Sequence, residues 1–274
     1  MPRFPDYHIH TFMCGHAVGG AEEYAEAAVE LGLSEIGFAE HIPMYWLPVD
    51  ERDPTIAMPM SRLAEYVETV LSLRERFRDR LTIRLGVEAD YVPGCEEELI
   101  AMLGDYPWDY VYGSVHYIGD WGFDNPEYRD RYDEWDLNEL YEAYFTRVQA
   151  AAATGLFDVM GHLDVIKKWG HRPDQAPTAV FEATAVELAR CDVVVEANTA
   201  GYSKPVNELY PSGELLSALV RQGVRFTLGS DAHAPGEVGR DFEAALAELT
   251  TLGVTELVRF EGRRTTEYSI APHD

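Results

Sequence analysis

The sequence predicts an α/β fold in which parallel strands alternate with helices and close into a (β/α) barrel. Short apolar runs alternate from end to end with segments whose apolar residues recur about every 3.6 positions, the pattern of strands and amphipathic helices. No Pro/Ser-rich linker, low-complexity tract or fixed-period repeat interrupts them, so we expect a single domain over residues 1–274. Seven or eight strand and helix units in one undivided domain fit a closed barrel better than an open doubly wound sheet.

The candidate strands are short apolar runs at residues 7–10, 36–39, 82–87, 110–115, 158–161, 193–197, 225–228 and 257–260. Apolar helical stripes lie between them, at residues 63–71 behind Ser61 as a candidate N-cap, at residues 137–148 behind Asp136, and at residues 242–252. An open sheet is the alternative to the barrel. No G-x-G-x-x-G or P-loop follows any strand, which disfavours dinucleotide oxidoreductases and P-loop enzymes.

Composition excludes several classes of protein. The 22 basic and 48 acidic residues give a net charge of −26, which disfavours binding to nucleic acid or to an anionic membrane surface. No apolar run approaches the roughly 18 to 20 residues of a membrane span, and the start lacks signal-peptide features, so we expect a cytoplasmic protein. The three cysteines are far apart and predict free thiols rather than disulfides or a zinc ribbon.

Most of the nine histidines fall where a candidate strand ends. His8 and His10 end the first strand, and because residues two apart on a strand point the same way, both can reach one ion. Asp231 and His233 repeat this spacing after the seventh strand. Since the carboxyl ends of barrel strands form one mouth, we expect these side chains to converge there with a further set of candidates: His16, His41, Glu88, His116 and His162.

So many ionisable groups in one place would perturb one another unless cations compensated them. Imidazole with carboxylate is a ligand set for Zn, Mn or Fe rather than Ca. At about three or four protein ligands per ion, nine candidates imply two or three ions. Multinuclear sites suit the hydrolysis of phosphate esters, because the metals lower the pKa of water and bind phosphoryl oxygens.

Seven motifs occur in the order found in a known superfamily: HIHT at 8–11, CGH at 14–16, AEH at 39–41, GVEAD at 86–90, GSVHY at 113–117, GHLD at 161–164 and GSDAH at 229–233. Together they resemble the polymerase-and-histidinol-phosphatase (PHP) superfamily over nearly the whole chain, from Asp6 to about Asp241. Residues 161–172 and 198–201 resemble its monofunctional histidinol-phosphatase branch most.

The resemblance implies a distorted (β/α)7 barrel with three metal ions. It implies that His8, His10, Glu88 and Asp231 hold the first ion, that a bridging Glu88 with His116 and His162 holds the second, and that His16, His41 and His233 hold the third. Glu88, Asp231 and His233 are accordingly the expected catalytic residues. Glu40 departs from the pattern, since many members carry Asp before this histidine; we expect it to act behind the ligands.

Lysine usage gives an independent prediction. The only lysines are Lys167, Lys168 and Lys204, in loops after the fifth and sixth strands, and the other 19 basic residues are arginines. A solvated loop is the simpler interpretation, but a phosphate dianion that approaches so acidic a protein needs local positive charge. We therefore expect Lys168 and Lys204 near the substrate, with Arg172 and His171 beside them.

The leading hypothesis is a metal-dependent phosphomonoesterase of the histidine biosynthetic pathway, which converts L-histidinol phosphate and water to L-histidinol and phosphate. One alternative keeps the barrel and changes the substrate to another small phosphomonoester. A second alternative, from a different class, is a non-catalytic module that its metals stabilise.

Overall fold

The computed structural model describes residues 4–270 and contains a parallel seven-stranded sheet that curls into a nearly closed barrel. The barrel strands, in sheet order, are β1 (Asp6–Ile9), β2 (Glu35–His41), β3 (Thr82–Asp90), β4 (Tyr110–Ser114), β7 (Val159–Met160), β8 (Val194–Asn198) and β9 (Phe226–Gly229). Two further strands, β5 (Tyr117–Ile118) and β6 (Trp121–Gly122), form a short hairpin after β4. All seven strands predicted for the barrel are therefore present.

The barrel closes where the end of β1 meets the residues that follow β9. Ile9 bridges Ala232 in parallel, the His10 amide donates to the Ala232 carbonyl at 2.9 Å, and the Ala232 amide donates to the His8 carbonyl at 3.1 Å. This contact brings the first and last histidine motifs side by side. The predicted barrel is thus confirmed, and its closure lies at the mouth rather than along full strands.

Helices pack on the outside of the barrel, and each buries an apolar face against the strands. They are α1 (Ala21–Leu31), α2 (Leu63–Phe77), α3 (Glu96–Leu103), α4 (Leu137–Ala153), α5 (Thr178–Cys191), α6 (Gly213–Arg221) and α7 (Phe242–Thr251). Within the described residues 4–270, none of these helices is long and apolar enough to cross a membrane.

The two predicted helix caps have different outcomes. Asp136 caps α4, since its carboxylate accepts from the amides of Asn138 and Glu139. The Ser61 cap is wrong: Met60–Arg62 forms a 3-10 turn that leads into α2, and the Arg62 amide donates to the Pro59 carbonyl at 2.9 Å. The Leu63 amide, one of those that a Ser61 cap would bind, donates instead to the Met60 carbonyl.

The eighth candidate strand lies outside the barrel. It is β10 (Glu256–Glu261), which pairs antiparallel with β11 (Arg264–Ser269). Val258 and Phe260 pack against Tyr7 and other residues of the inner core, while the Arg263 side chain bonds Asp158, just before β7. The hairpin therefore covers the amino end of the barrel and leaves the carboxyl end free for chemistry.

Candidate metal centre

The first group of ligand atoms lies at the bottom of the mouth and is almost completely buried. The Glu88 Oε2 atom is 3.4 Å from His8 Nε2 and 3.6 Å from His10 Nε2, and Asp231 Oδ1 is 3.4 Å from His10 Nε2. His8 Nε2 and His10 Nε2 are buried atoms that make no hydrogen bond, and Glu88 Oε2 lies 2.9 Å from His41 Nδ1. Buried polar atoms without partners are costly, so their convergence fits a cation at this point.

A second group uses the other oxygen of the same glutamate. Glu88 Oε1 is 2.9 Å from His162 Nε2 and 3.7 Å from His116 Nε2, and the two imidazole nitrogens are 3.1 Å apart. The Ser114 hydroxyl donates to Glu88 Oε1 at 2.5 Å. Glu88 therefore stands between two histidine groups, with one oxygen directed to each.

The third group consists of histidines nearer the surface. His16 Nε2 and His233 Nε2 are 3.0 Å apart, and one ring nitrogen of His41 lies within the same cluster. The Thr55 carbonyl lies 3.1 Å from His16 Nδ1 and fixes that ring. The thiol of Cys14 also lies near His10 and His233, but burial, with the Glu40 carboxylate, raises its pKa to about 12. A neutral thiol is a poorer ligand than imidazole, which favours the histidine set.

Burial and mutual charge set the protonation of these groups. Burial opposes the charge on Glu88, yet His41 and His8 hold the pKa of its carboxyl well below the usual range. Burial also lowers the pKa of His10, but acidic partners outweigh it and raise the pKa to about 9. For His16, burial and its cationic neighbours lower the pKa to about 4. An ionised carboxylate attracts cations, and a protonated imidazole such as His10 must release its proton when it binds one.

Carboxylates bond two of these histidines by the nitrogen that faces away from the centre, and a third carboxylate lies beside His10. Glu196 Oε1 lies 2.7 Å from His8 Nδ1, and Asp90 Oδ1 lies 2.8 Å from His116 Nδ1. Glu40 Oε1 lies 3.4 Å from His10 Nδ1, and its Oε2 atom accepts from the Thr11 amide and hydroxyl. Such partners fix the tautomer and direction of a ligand imidazole.

Sequence reasoning missed two of these carboxylates. Glu196 is a charged residue inside an apolar strand, which is itself an unusual signal, because a buried acid needs a partner. Asp90 repeats the two-residue spacing of strand β3 after Glu88. Both signals are present in the sequence, but neither identifies the histidine that each acid holds.

Above the ligand groups lies a cleft of about 720 Å³. Its walls include Lys168 and Lys204, which the sequence predicts near the substrate, and also the aromatic residues Tyr117 and Tyr210. Loops after β2 bring further carboxylates, among them Asp53, to the same cleft. The cleft therefore combines the ligand groups with charges of both signs.

The two cleft lysines differ in their surroundings. Lys168 Nζ donates to the Asp124 carbonyl at 2.8 Å and lies 3.2 Å from its carboxylate. Burial would raise the pKa of Asp124, but Lys168 and His116 lower it to about 2, so this pair stays ionised. Lys204 makes no ion pair with any residue between 4 and 270. Lys204 is consequently the cleft cation whose charge a neighbouring acid does not offset.

The structure does not bring Arg172 and His171 to the cleft. The Arg172 guanidinium pairs with Glu208 at 2.7 Å, and the His171 ring stacks on Tyr132 with centroids 4.3 Å apart. Lys167 is buried and also faces inward, with its ammonium 2.7 Å from a carboxylate oxygen of Asp164. Glu208 and Tyr132 are remote in the chain from Arg172 and His171, so the basic run alone gave no sign of these two partners.

The chain is similar to known proteins in both sequence and structure. The model of the PHP domain family matches residues 6–200. A probable histidinol-phosphatase of Deinococcus radiodurans is 46% identical over 90% of this chain and 93% of its own length. The histidinol-phosphatase of Bacillus subtilis is 29% identical over 88% and 97%. The crystal structure of histidinol phosphate phosphatase from Lactococcus lactis, complexed with zinc, L-histidinol and phosphate, has a TM-score of 0.78 at 25% identity, over 96% of this chain and 99% of that chain.

Proposed function

The chain belongs to the PHP domain family, and we propose that it hydrolyses L-histidinol phosphate to L-histidinol and phosphate as a metal-dependent phosphoric monoester hydrolase. The observation that carries this function is the buried Glu88, which directs one oxygen to each of two histidine groups at the floor of a cleft that holds lysines. The similarity to histidinol-phosphatases over nearly the whole chain supports the same substrate.

We further propose that the centre binds three divalent ions, of zinc, iron or manganese. The ligands of the first are His8, His10, Glu88 and Asp231; those of the second are Glu88, His116 and His162; and those of the third are His16, His41 and His233. When bound, such ions lower the pKa of water and polarise the phosphate oxygens. The unpartnered buried atoms of the first group and the close imidazole pairs of the other two support this assignment.

The protein's own residues supply orientation and charge. Glu196 and Asp90 hold ligand imidazoles in one tautomer, so that the nitrogen facing the centre is free to bind, and Glu40 lies 3.4 Å from His10 in a similar position. Lys204 attracts the phosphate dianion, while Lys168 contributes less because Asp124 neutralises most of its charge. Glu88, Asp231 and His233 are the proposed catalytic residues, because as metal ligands they adjoin the reacting phosphate.

The charge arrangement of the cleft suits a substrate with a cationic end. Lys168 and Lys204 come from loops after β7 and β8, whereas Glu51 and Asp53 come from the loop after β2, on the far side of the strand ring. L-Histidinol phosphate carries an ammonium group as well as a phosphate at neutral pH. A sugar phosphate has no cationic group to pair with these acids, which favours the amino-alcohol phosphate over that alternative.

The test is a set of steady-state measurements with a panel of phosphomonoesters. We expect the highest kcat/KM for L-histidinol phosphate, and lower values for sugar phosphates, nucleotides and phosphotyrosine. A higher value for one of those esters would reassign the substrate while keeping the reaction. If no ester releases phosphate while metal is bound, the non-catalytic module is the correct interpretation.

We propose the cytoplasm as the place of action, in keeping with the three free cysteines.

A further inference from the structure

Tyr210 carries a buried hydroxyl group whose role the ligand groups do not explain. The residue is 2% exposed, and its hydroxyl makes no hydrogen bond to any residue that the structure describes. Buried hydroxyl groups without a partner cost folding free energy, so most proteins satisfy them. Unlike most buried tyrosines, Tyr210 also lines the cleft above the metal centre.

Three contacts restrict the position of the Tyr210 ring. Its backbone pairs with Asn198 through hydrogen bonds of 2.8 and 3.0 Å. Gly201 lies against the ring, where an added methyl group would come within 3.0 and 3.1 Å of two ring carbons. The Lys167 ammonium lies 5.4 Å from the ring centroid. The hydroxyl is therefore held in one place before any ligand binds.

The surroundings of the hydroxyl indicate what it would bind. Tyr210 shares the cleft wall with Lys168 and Lys204, the two lysines of the described lining. Burial, with the nearby carboxylates of Asp164 and Asp231, raises the pKa of the phenol, so it stays protonated at neutral pH. A protonated phenol beside lysines is a hydrogen-bond donor in a place that attracts anions.

We propose that the Tyr210 hydroxyl donates a hydrogen bond to the phosphate group of the substrate and positions it next to Lys204. This inference rests on the proposed function, because it assumes that a phosphomonoester enters the cleft. Neighbouring side chains cover the hydroxyl in the protein alone, so the proposed contact requires them to move when phosphate enters. The phosphate would then be the hydrogen-bond partner that the hydroxyl lacks in the folded protein.

The proposal predicts opposite effects of Tyr210→Phe on function and on stability. A hydrogen bond to a charged group is lost, so kcat/KM for L-histidinol phosphate should fall about tenfold or more. The inhibition constant of inorganic phosphate should rise by a similar factor, since the same contact serves the product. The Tm should stay the same or rise, because an unsatisfied buried oxygen is removed. Metal content should not change, as Tyr210 is not a proposed ligand.

Two tyrosines supply matched controls. Tyr268 has an unpartnered hydroxyl in the terminal hairpin, away from the cleft, so Tyr268→Phe should leave phosphate inhibition and kcat/KM unchanged. The Tyr144 hydroxyl donates to the Leu163 carbonyl at 3.0 Å, so Tyr144→Phe should lower the Tm and leave phosphate inhibition unchanged. Tyr268→Phe thus tests the loss of an unpartnered hydroxyl away from the cleft, and Tyr144→Phe tests the loss of a structural hydrogen bond.

The outcomes distinguish this proposal from the proposed function. If Tyr210→Phe keeps wild-type kcat/KM and wild-type phosphate inhibition, the Tyr210 proposal is overturned. It is also overturned if activity falls only together with the Tm or the metal content. If the wild-type protein releases no phosphate from L-histidinol phosphate, yet Tyr210→Phe weakens its binding of inorganic phosphate, the substrate is wrong and the phosphate contact stands.

Discussion

Replacing Glu196 with glutamine should weaken metal binding, although Glu196 is not itself a proposed ligand. Its Oε1 atom lies 2.7 Å from His8 Nδ1, and its Oε2 atom accepts from the His162 amide at 2.8 Å and from Asn198 Nδ2 at 3.0 Å. A methyl group on Gly229 would overlap Oε1, so the space around the carboxylate is closely filled. The two carboxylate oxygens of Glu196 therefore accept from three donors, whereas a glutamine side chain offers only one acceptor oxygen.

Either orientation of the new amide is unfavourable. If its NH2 group faces His8, the ring must accept at Nδ1 and carry its proton on Nε2, the atom directed at the centre. If it faces the other way, it meets the His162 amide and the Asn198 side chain, both of them donors, and about 1 to 3 kcal/mol is lost for each unsatisfied group. We expect metal affinity to fall about 10- to 100-fold, the usual effect of removing such a partner.

The assay is a titration of metal against a competing chelator, with Tm measured on the metal-free and metal-loaded protein. Glu35→Gln is the matched control, because Glu35 is also a buried acid and accepts from the Tyr7 hydroxyl at 2.7 Å and from Arg84 Nε at 2.8 Å, at the opposite end of the barrel. It should lose stability and keep its metal affinity. Wild-type affinity in Glu196→Gln, or an equal loss in Glu35→Gln, would refute the reasoning.

Three further predictions concern the ligands and the lysines. Glu88→Gln removes a charge shared by two ligand groups, so kcat should fall much further than in Glu40→Gln. For Glu40→Gln we expect a loss of about 10- to 100-fold, because Glu40 lies behind a ligand. Equal losses would contradict the assignment of Glu88 as a ligand and Glu40 as a residue behind the ligands. Lys204→Met and Lys168→Met should each lower kcat/KM at least about tenfold with metal content intact, with Lys204→Met the larger because its charge is not offset. Lys167→Met should retain kcat/KM but lose about 3 to 5 kcal/mol of stability, since a buried acid loses its partner. If Lys168→Met and Lys204→Met both keep wild-type kcat/KM at low and at high salt, groups other than these two lysines recognise the phosphate.

The arrangement of the mouth could be predicted from sequence because it depends on local pattern and one general rule. Apolar runs locate the strands, and the carboxyl ends of parallel barrel strands meet at one face. His8 and His10 end one such run and Asp231 and His233 follow another, so their approach follows from the fold. The closure between β1 and the residues after β9 brings these two pairs together.

What the sequence could not supply is the pairing of charged and aromatic side chains that are distant in the chain. Arg172 and His171 lie in a basic run that is typical of an anion site, but Glu208 and Tyr132 occupy them. Within this run, which spans residues 167–172, Lys168 alone lines the cleft.

Tyr210 shows the complementary limit. Nothing in its sequence context separates it from the other 15 tyrosines of the chain. Its burial, its unpartnered hydroxyl and its place beside the cleft lysines depend on how the loop after β8 folds back to pair with Asn198. Such a feature follows from tertiary packing and is visible only in the folded chain.

The most direct test of the proposed activity is phosphate release from L-histidinol phosphate, with metal content measured on the same sample. The metal-loaded protein should contain two to three transition ions per chain, at the usual three or four ligands each. It should hydrolyse L-histidinol phosphate in preference to a panel of other esters, lose activity on chelation, and regain it when metal is restored. Activity that persists with less than about one ion per chain, or a fully loaded protein that releases no phosphate, would contradict the account.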